Sequence, residues 1–313
     1  MSPLLQSIRE KSYPLTPIPT ETEAVLKPLP SIRAVIFDVY GTLFISGAGE
    51  ISLGATVERG SALLQSLLAF VNRFGPPLTT RPAQTELPSD WTPDCLEAHF
   101  RHLVEDEQNE RRLDGIDWPE IDIRRVWRRL IVDLSLCDEA EIFGLNQVVE
   151  ELALDFELRV NPVWPMPELA STLAALRSRK YTLGIISNAQ FFTPLLFNAF
   201  LKAPPEALGL EPSYSVWSYE IHEAKPSTFL YESVASALDR GCGIAAGEVL
   251  YVGNDRRNDV YPADAVGFRT ALFAGDRRSL RWRQGDALAG TTMPDLVLTS
   301  LPDLLHCLPG CPA

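Results

Sequence analysis

The feature that most constrains the fold is a set of short, wholly apolar segments that each stop on a polar residue. IRAVIFD (32–38), YTLGIIS (181–187) and EVLYVGN (248–254) show no regular apolar–polar alternation. A strand with one wet face alternates, whereas a continuous apolar run is buried on both faces, as in a parallel sheet covered by helices above and below. SYSVWS (213–218), RTALF (269–273) and DLVLTS (295–300) read as further strands. Leu169, Leu173 and Leu176 mark a helix face, and further helices are expected at 226–238, with Pro226 in a tolerated first-turn position, at 259–266 and near 302–308. Such alternation implies a three-layer, doubly wound, Rossmann-like α/β fold with right-handed crossovers. Functional groups then belong at the carboxyl ends of the strands.

Residues 55–158 have a different texture. Leu63, Leu64, Leu67, Leu68 and Val71 recur at three- and four-residue spacing, and three amphipathic segments follow near 94–112, 119–134 and 139–153, after a proline-rich loop at 75–93. The division expected is a proline-rich leader at 1–30, extended after a short helix, an α/β core from 31–50 and 160–313, and a helical insert at 51–159.

A formal net charge of −13 argues against nucleic acid or an anionic membrane as a partner held by general electrostatics. A local positive site for a small anion stays compatible with it. Five cysteines, an odd number with no CxxC, fit free thiols in a reducing cytoplasm. No apolar run approaches the length of about 18 residues that a membrane helix requires, and the start lacks the apolar stretch of a signal peptide, so a cytoplasmic protein is expected.

The informative polar groups sit where strands stop. Asp38 ends the first strand, Ser187-Asn188 ends the next, Lys225 precedes the helix at 226, and Asp255 and Asp259 follow the strand at 248–253. A parallel sheet would bring all of them to one edge. In order and spacing the set resembles the haloacid dehalogenase superfamily. The first motif is Asp38-Val39-Tyr40-Gly41-Thr42-Leu43, the second IISNA with Ser187, the third EAKPS with Lys225, and the fourth YVGNDRRNDVYPADAVGF with Asp255 and Asp259. The resemblance covers about 32–48 and 160–305, and it makes the insert similar to the family's helical cap.

The resemblance implies that Asp38 is a nucleophile forming a covalent aspartyl intermediate, with Lys225 offsetting negative charge and Ser187, Asn188, Gly41 and Thr42 holding the substrate and the turn. A carboxylate approaches a phosphate only when charge is neutralised, which a hard divalent ion does through oxygen ligands. The implied Mg²⁺ ligands are Asp38, the main-chain carbonyl of Tyr40 and Asp255, with Asp259 on Lys225 or a metal-bound water. The expected function is Mg²⁺-dependent hydrolysis of a small anionic phosphorylated metabolite.

Tyr40 complicates this. Phosphatases of the family usually carry a second acid there, and a phenol titrates near 10, too high for acid–base work at neutral pH. Losing that catalysis costs about 10²–10⁴-fold, roughly 3–5 kcal/mol. The alternatives are a metal-independent 2-haloacid dehalogenase, whose halide leaves without a proton, or a degenerate member that binds a ligand. Asp255 favours phosphoryl chemistry, because a second carboxylate beside the nucleophile needs a cation.

Other clusters read more plainly. His99, His102 and Glu105 suggest an exposed helix face rather than a zinc site. Arg124, Arg125, Arg128 and Arg129 suggest a salt-bridged face. Arg277, Arg278, Arg281 and Arg283 lie on the active edge of the sheet, where they could grip a second anionic group or be neutralised by Asp276 and Asp286. Trp217, Tyr219 and His222 precede Lys225, with Trp217 expected in the core.

Overall fold

The computed structural model describes residues 2–48, 56–74, 91–137 and 144–312. Most of the expected proline-rich loop and the first residues of the expected helix at 139–153 lie outside them. The core sheet has six parallel strands in the order β5 (Leu210–Trp217), β4 (Thr182–Ser187), β1 (Ala34–Phe37), β6 (Val249–Gly253), β7 (Arg269–Phe273) and β8 (Leu296–Leu298). Side-chain direction explains the unbroken apolar runs. Val35 and Phe37 join one core cluster, Ala34 and Ile36 the other, and all four are fully buried.

Helices cover both faces. α6 (Leu169–Ser178), α7 (Thr193–Leu201) and α11 (Asp303–Cys307) lie on the side of Phe37, while α9 (Phe229–Cys242) and α10 (Tyr261–Ala265) lie on the side of Ile36. β1 is central. The chain runs outward to β4 and β5, then returns past β1 to β6, so the strand order reverses at β1, where α/β sheets place ligands. Phe37 stands opposite Ile185 on β4 and Val252 on β6, which brings the ends of the three strands level.

The leader is docked. α1 (Pro3–Lys11) buries Ile8, Arg9 Nε donates to the Ala199 carbonyl of α7 at 2.9 Å, and Lys11 pairs with Asp155 of the insert. Farther on, Val25 pairs antiparallel with Val297 and covers the edge of β8.

The insert holds four described helices: α2 (Thr56–Phe74), α3 (Pro93–Leu113), α4 (Ile123–Asp133) and α5 (Asn146–Val160). They bury a cluster of their own around Phe100, Trp127 and Phe156, whose rings lie 5.3–5.5 Å apart. Thr92 and Asp122 cap α3 and α4 with their side chains. The Asp122 cap starts α4 four residues later than expected, and α5 covers the described part of the helix expected at 139–153 from residue 146 onward. A short ladder missed in the sequence joins insert and core. β2 (Phe44–Ser46) pairs antiparallel with β3 (Val163–Pro165), so the chain leaves and re-enters the core side by side. None of the described helices is long and apolar enough to cross a membrane.

Candidate active site

β1 delivers Asp38 directly into a turn. Its amide continues the ladder by donating to the Val252 carbonyl at 2.9 Å, and Gly41 then reverses the chain at φ +80°. That left-handed conformation favours glycine, and a Cβ at this position would clash with Ser279 and with the Asn254 amide group. Asp38 is 5 % exposed. Its Oδ1 accepts hydrogen bonds from Lys225 Nζ at 2.7 Å and Ser187 Oγ at 3.1 Å, and its Oδ2 faces Thr42 Oγ1 at 3.4 Å. Three of the expected groups thus converge on Asp38.

Lys225 reaches Asp38 because Asn188 Oδ1 accepts its backbone N–H at 2.8 Å, tying the ends of the second and third motifs together. Its ammonium also donates to Asp259 Oδ1 at 2.6 Å and lies 3.4 Å from the Tyr251 hydroxyl. Burial pulls the Lys225 pKa down, but the two carboxylates overcome it and hold the ammonium charged above the ordinary lysine range. Asp259 is 1 % exposed, and burial pushes its carboxyl up to about 6 against the pull of Lys225. Tyr251, from the middle of β6, was not foreseen. Its hydroxyl lies 3.1 Å from Asp259 and 2.9 Å from the Ile186 carbonyl.

Asp255 departs from expectation. Its carboxylate caps the following turn through the amides of Arg257 and Asn258, and the Arg283 guanidinium grips it, Nη2 donating to Oδ2 at 2.7 Å and Nε at 3.1 Å. The first polar residue past β6 is Asn254, and it takes the inward place. Its Oδ1 accepts from Thr42 Oγ1 at 3.1 Å, and its Nδ2 donates to the Ser279 carbonyl. The rule that picked Asp38, the first polar residue after an apolar strand, would have found it.

This donor set is a poor match for a divalent ion. Among the described residues no three acidic, histidine or cysteine groups are placed to hold a metal, and side-chain cations already neutralise all three carboxylates. The expected sharing of one Mg²⁺ by Asp38 and Asp255 gives way to a lysine between Asp38 and Asp259 and an arginine on Asp255.

Tyr40 is a structural residue. It is 7 % exposed within the core cluster, and its hydroxyl lies 3.0 Å from Thr193 Oγ1 at the start of α7. Burial pushes its pKa well above the ordinary phenol value, which rules it out as an acid–base group near neutrality.

Above the strand ends lies a cavity of about 640 Å³ between insert and core. Asn188, Ala189, Gln190 and Ala224 form its floor, the rings of Phe100, Phe156 and Phe192 supply apolar wall, and Arg59, Glu97, Arg101, Glu120 and Glu157 supply charge. Arg59 pairs with Glu97 at 3.2 Å. Glu157 faces the cavity, where burial pushes its carboxyl up to about 7 despite a hydrogen bond from Asn161 and the charge of Arg59.

The remaining candidates lie elsewhere. His99 pairs with Asp133 at 2.8 Å and His102 with Asp106 at 3.6 Å. Arg124, Arg125 and Arg129 form the salt-bridged face, on Asp122, Glu107 and Asp106. Of the four arginines after β7, Arg278 pairs with Asp276 and Arg283 is the one that reaches the site. Trp217 packs against the core cluster as expected.

Comparison with known proteins agrees with this geometry. A family model for haloacid dehalogenase-like hydrolases matches residues 32–267. The chain is similar to the crystal structure of a 2-haloacid dehalogenase from Pseudomonas syringae pv. Tomato DC3000, with 20 % identity, a TM-score of 0.53 and coverage of 88 % of this chain and 97 % of that one. It also matches a HAD phosphatase from Thermococcus onnurineus at 19 % identity and a TM-score of 0.48, over 89 % and 99 % of the two chains. No curated protein matches.

Proposed function

The chain belongs to the haloacid dehalogenase-like hydrolases, and from that premise we propose that it hydrolyses a small anionic substrate through a covalent ester of Asp38, expelling a leaving group that needs no proton. The observation that carries this reading is the Lys225 ammonium buried between Asp38 and Asp259, at 2.7 and 2.6 Å. A fixed side-chain cation supports attack on carbon without a metal. It also agrees with Tyr40 being spent on Thr193, since a halide departs as an anion.

The substrate class is a 2-haloacid. An Asp38 carboxylate oxygen bonds to the halogen-bearing carbon while the carbon–halogen bond breaks, its electron pair leaving on the halide. Water then attacks the ester carbonyl carbon of Asp38 and loses a proton to Asp259, which is ionised above about pH 6. The bond from the Asp38 carbonyl carbon to the substrate oxygen breaks, and that oxygen takes the remaining proton of the attacking water. The 2-hydroxy acid departs, the Asp38 carboxylate returns, and Asp259 gives its proton to solvent. Ser187 and Thr42 hold Asp38 in line.

The second reading is Mg²⁺-dependent hydrolysis of a phosphorylated metabolite. It is favoured by the Asn254 amide oxygen, which joins the Thr42–Asp38 cluster, and it requires Arg283 to leave Asp255. A panel of 2-haloacids, phosphate esters and acyl phosphates, run with Mg²⁺ and with chelator, separates the two. Chelator-resistant halide release, lost in Asp38→Asn, is the expected result. Phosphate release that stops on chelation would replace the first reading with the second.

A further inference from the structure

Residues 118–120 of the insert pair with the stretch that ends at Lys225. Pro119 forms an antiparallel bridge with Glu223, the Glu120 amide donates to the His222 carbonyl at 3.1 Å, and the Ala224 amide donates to the Trp118 carbonyl at 2.7 Å. Residues 118–120 thus form one rung-pair of ladder with the stretch that ends at Lys225.

The Glu120 side chain completes the joint. Its Oε2 accepts from Ser218 Oγ at 2.8 Å, and its Oε1 lies 3.3 Å from Gln190 Nε2 and 3.0 Å from the Ile121 amide. Both side-chain partners lead to the nucleophile. Ser218 Oγ in turn accepts the Ala189 amide at 2.8 Å, two residues beyond Ser187. Gln190 also donates to the Ile121 carbonyl, and its own backbone N–H goes to Thr193, the partner of Tyr40. One carboxylate therefore sits where the Ser187–Gln190 loop, the Ser218–Lys225 segment and the insert meet.

We propose that Glu120 is a positioning residue through which the helical insert sets the two loops that hold Asp38, so that Ser187 and Lys225 reach the nucleophile only while the insert is docked. The inference goes beyond the hydrolytic reading and shares with it only the premise that Ser187 and Lys225 serve Asp38.

The chemistry of the joint gives it a pH dependence. The ionised form accepts from Ser218, Gln190 and the Ile121 amide, and the protonated form keeps Oε1 for the two N–H donors while its hydroxyl donates to Ser218 Oγ, whose own proton then turns to the Ala189 carbonyl. Burial pushes the Glu120 carboxyl up to about 7, with Ser218 and the Ile121 amide pulling it back. The charged and titratable groups on the elements around it are His222 and Glu223 on the facing ladder, Glu220 beside Ser218, Asp122 on its own segment, and Arg101, Glu105 and Glu157 on the cavity wall. A carboxyl held above its free value in the docked joint favours docking when protonated, so the joint is tightest below that pKa and loosens as pH rises through it.

Hydrogen–deuterium exchange on the full chain tests this without any substrate. In Glu120→Ala at about pH 6, uptake over 187–190 and 218–225 should rise about tenfold or more, as removing the acceptor of three hydrogen bonds implies. Uptake in α3 should stay unchanged. Wild type, corrected for intrinsic rates, should show a rise in the same segments on going from about pH 6 to about pH 8, which Glu120→Ala should lack. Glu157→Gln, which has a raised carboxyl in the same cavity but no bond to either loop, should leave both segments protected. With 2-chloropropionate as probe, Glu120→Ala should lower kcat about tenfold with KM within about threefold, and should remove the limb near 7 from the pH profile. Wild-type protection of both segments in Glu120→Ala overturns the proposal. A wild type inert towards 2-chloropropionate overturns the hydrolytic reading instead and leaves the exchange result standing.

Discussion

The sheet edge and the cavity wall bury acids in opposite ways. At the edge, Asp38 and Asp259 share the Lys225 ammonium and Asp255 holds the Arg283 guanidinium. On the wall, Glu120 is bound by neutral donors, and Glu157 accepts from Asn161 and feels the charge of Arg59. Similar burial thus yields carboxylates with cation partners in one region, where Asp259 is pushed up to about 6, and carboxyls pushed up to about 7 among neutral donors in the other.

The contrast breaks most severely at Lys225. Lys225→Met leaves two buried carboxylates facing each other without a cation, and stability should fall by about 3–5 kcal/mol. Urea unfolding at neutral pH measures it, and a loss below about 1 kcal/mol would mean the edge does not depend on the ion pair. Turnover should vanish with it.

Glu157 tests the other side with a smaller effect of opposite sign. Its folded pKa is raised, so its contribution to stability is fully present below the unfolded value of 4.5 and is lost as pH rises through about 7. Glu157→Gln should therefore raise Tm at about pH 8 by a few degrees, leave it little changed at about pH 4, and flatten the slope between. Equal Tm values at both pH values would show that the wall carboxyl is not strained.

Tyr40 carries no charge at stake, and it should move least. Tyr40→Phe removes a hydrogen bond to Thr193 and nothing from the nucleophile. It should cost about 0.5–1.5 kcal/mol and leave kcat within about threefold. A larger kinetic loss would return the phenol to the chemistry.

What was legible in the sequence follows from the same division. Asp38, Ser187, Lys225 and Asp259 could be read because each is fixed by one strand end, and strand ends are set by local apolar runs. Asp255 was misplaced because adjacent residues on a turn face different ways: Asn254 enters the site and Asp255 turns to cap the next helical turn. Arg283 reaches Asp255 across a sequence separation of 28 residues, which carries no periodic signal. Glu120 depends on how the insert docks, which only tertiary contact decides. The β2–β3 ladder has three residues a side, too short for its alternation to stand out. The late start of α4 was available in the sequence, since Asp122 stands just before IRRVW as a cap.

That short ladder has a consequence for how such a molecule can diversify. Ser46 stands opposite Val163, Gly47 donates to the Pro162 carbonyl, and Asn161 Oδ1 accepts from Ser46 Oγ and the Ala48 amide, so the two crossing points are stitched into one seam. Everything on the far side hangs from a pair of stems whose spacing the seam fixes. A replacement cassette of another length or shape could be spliced between those stems without disturbing the sheet, provided it presents its own counterpart of Glu120 to the loops beneath.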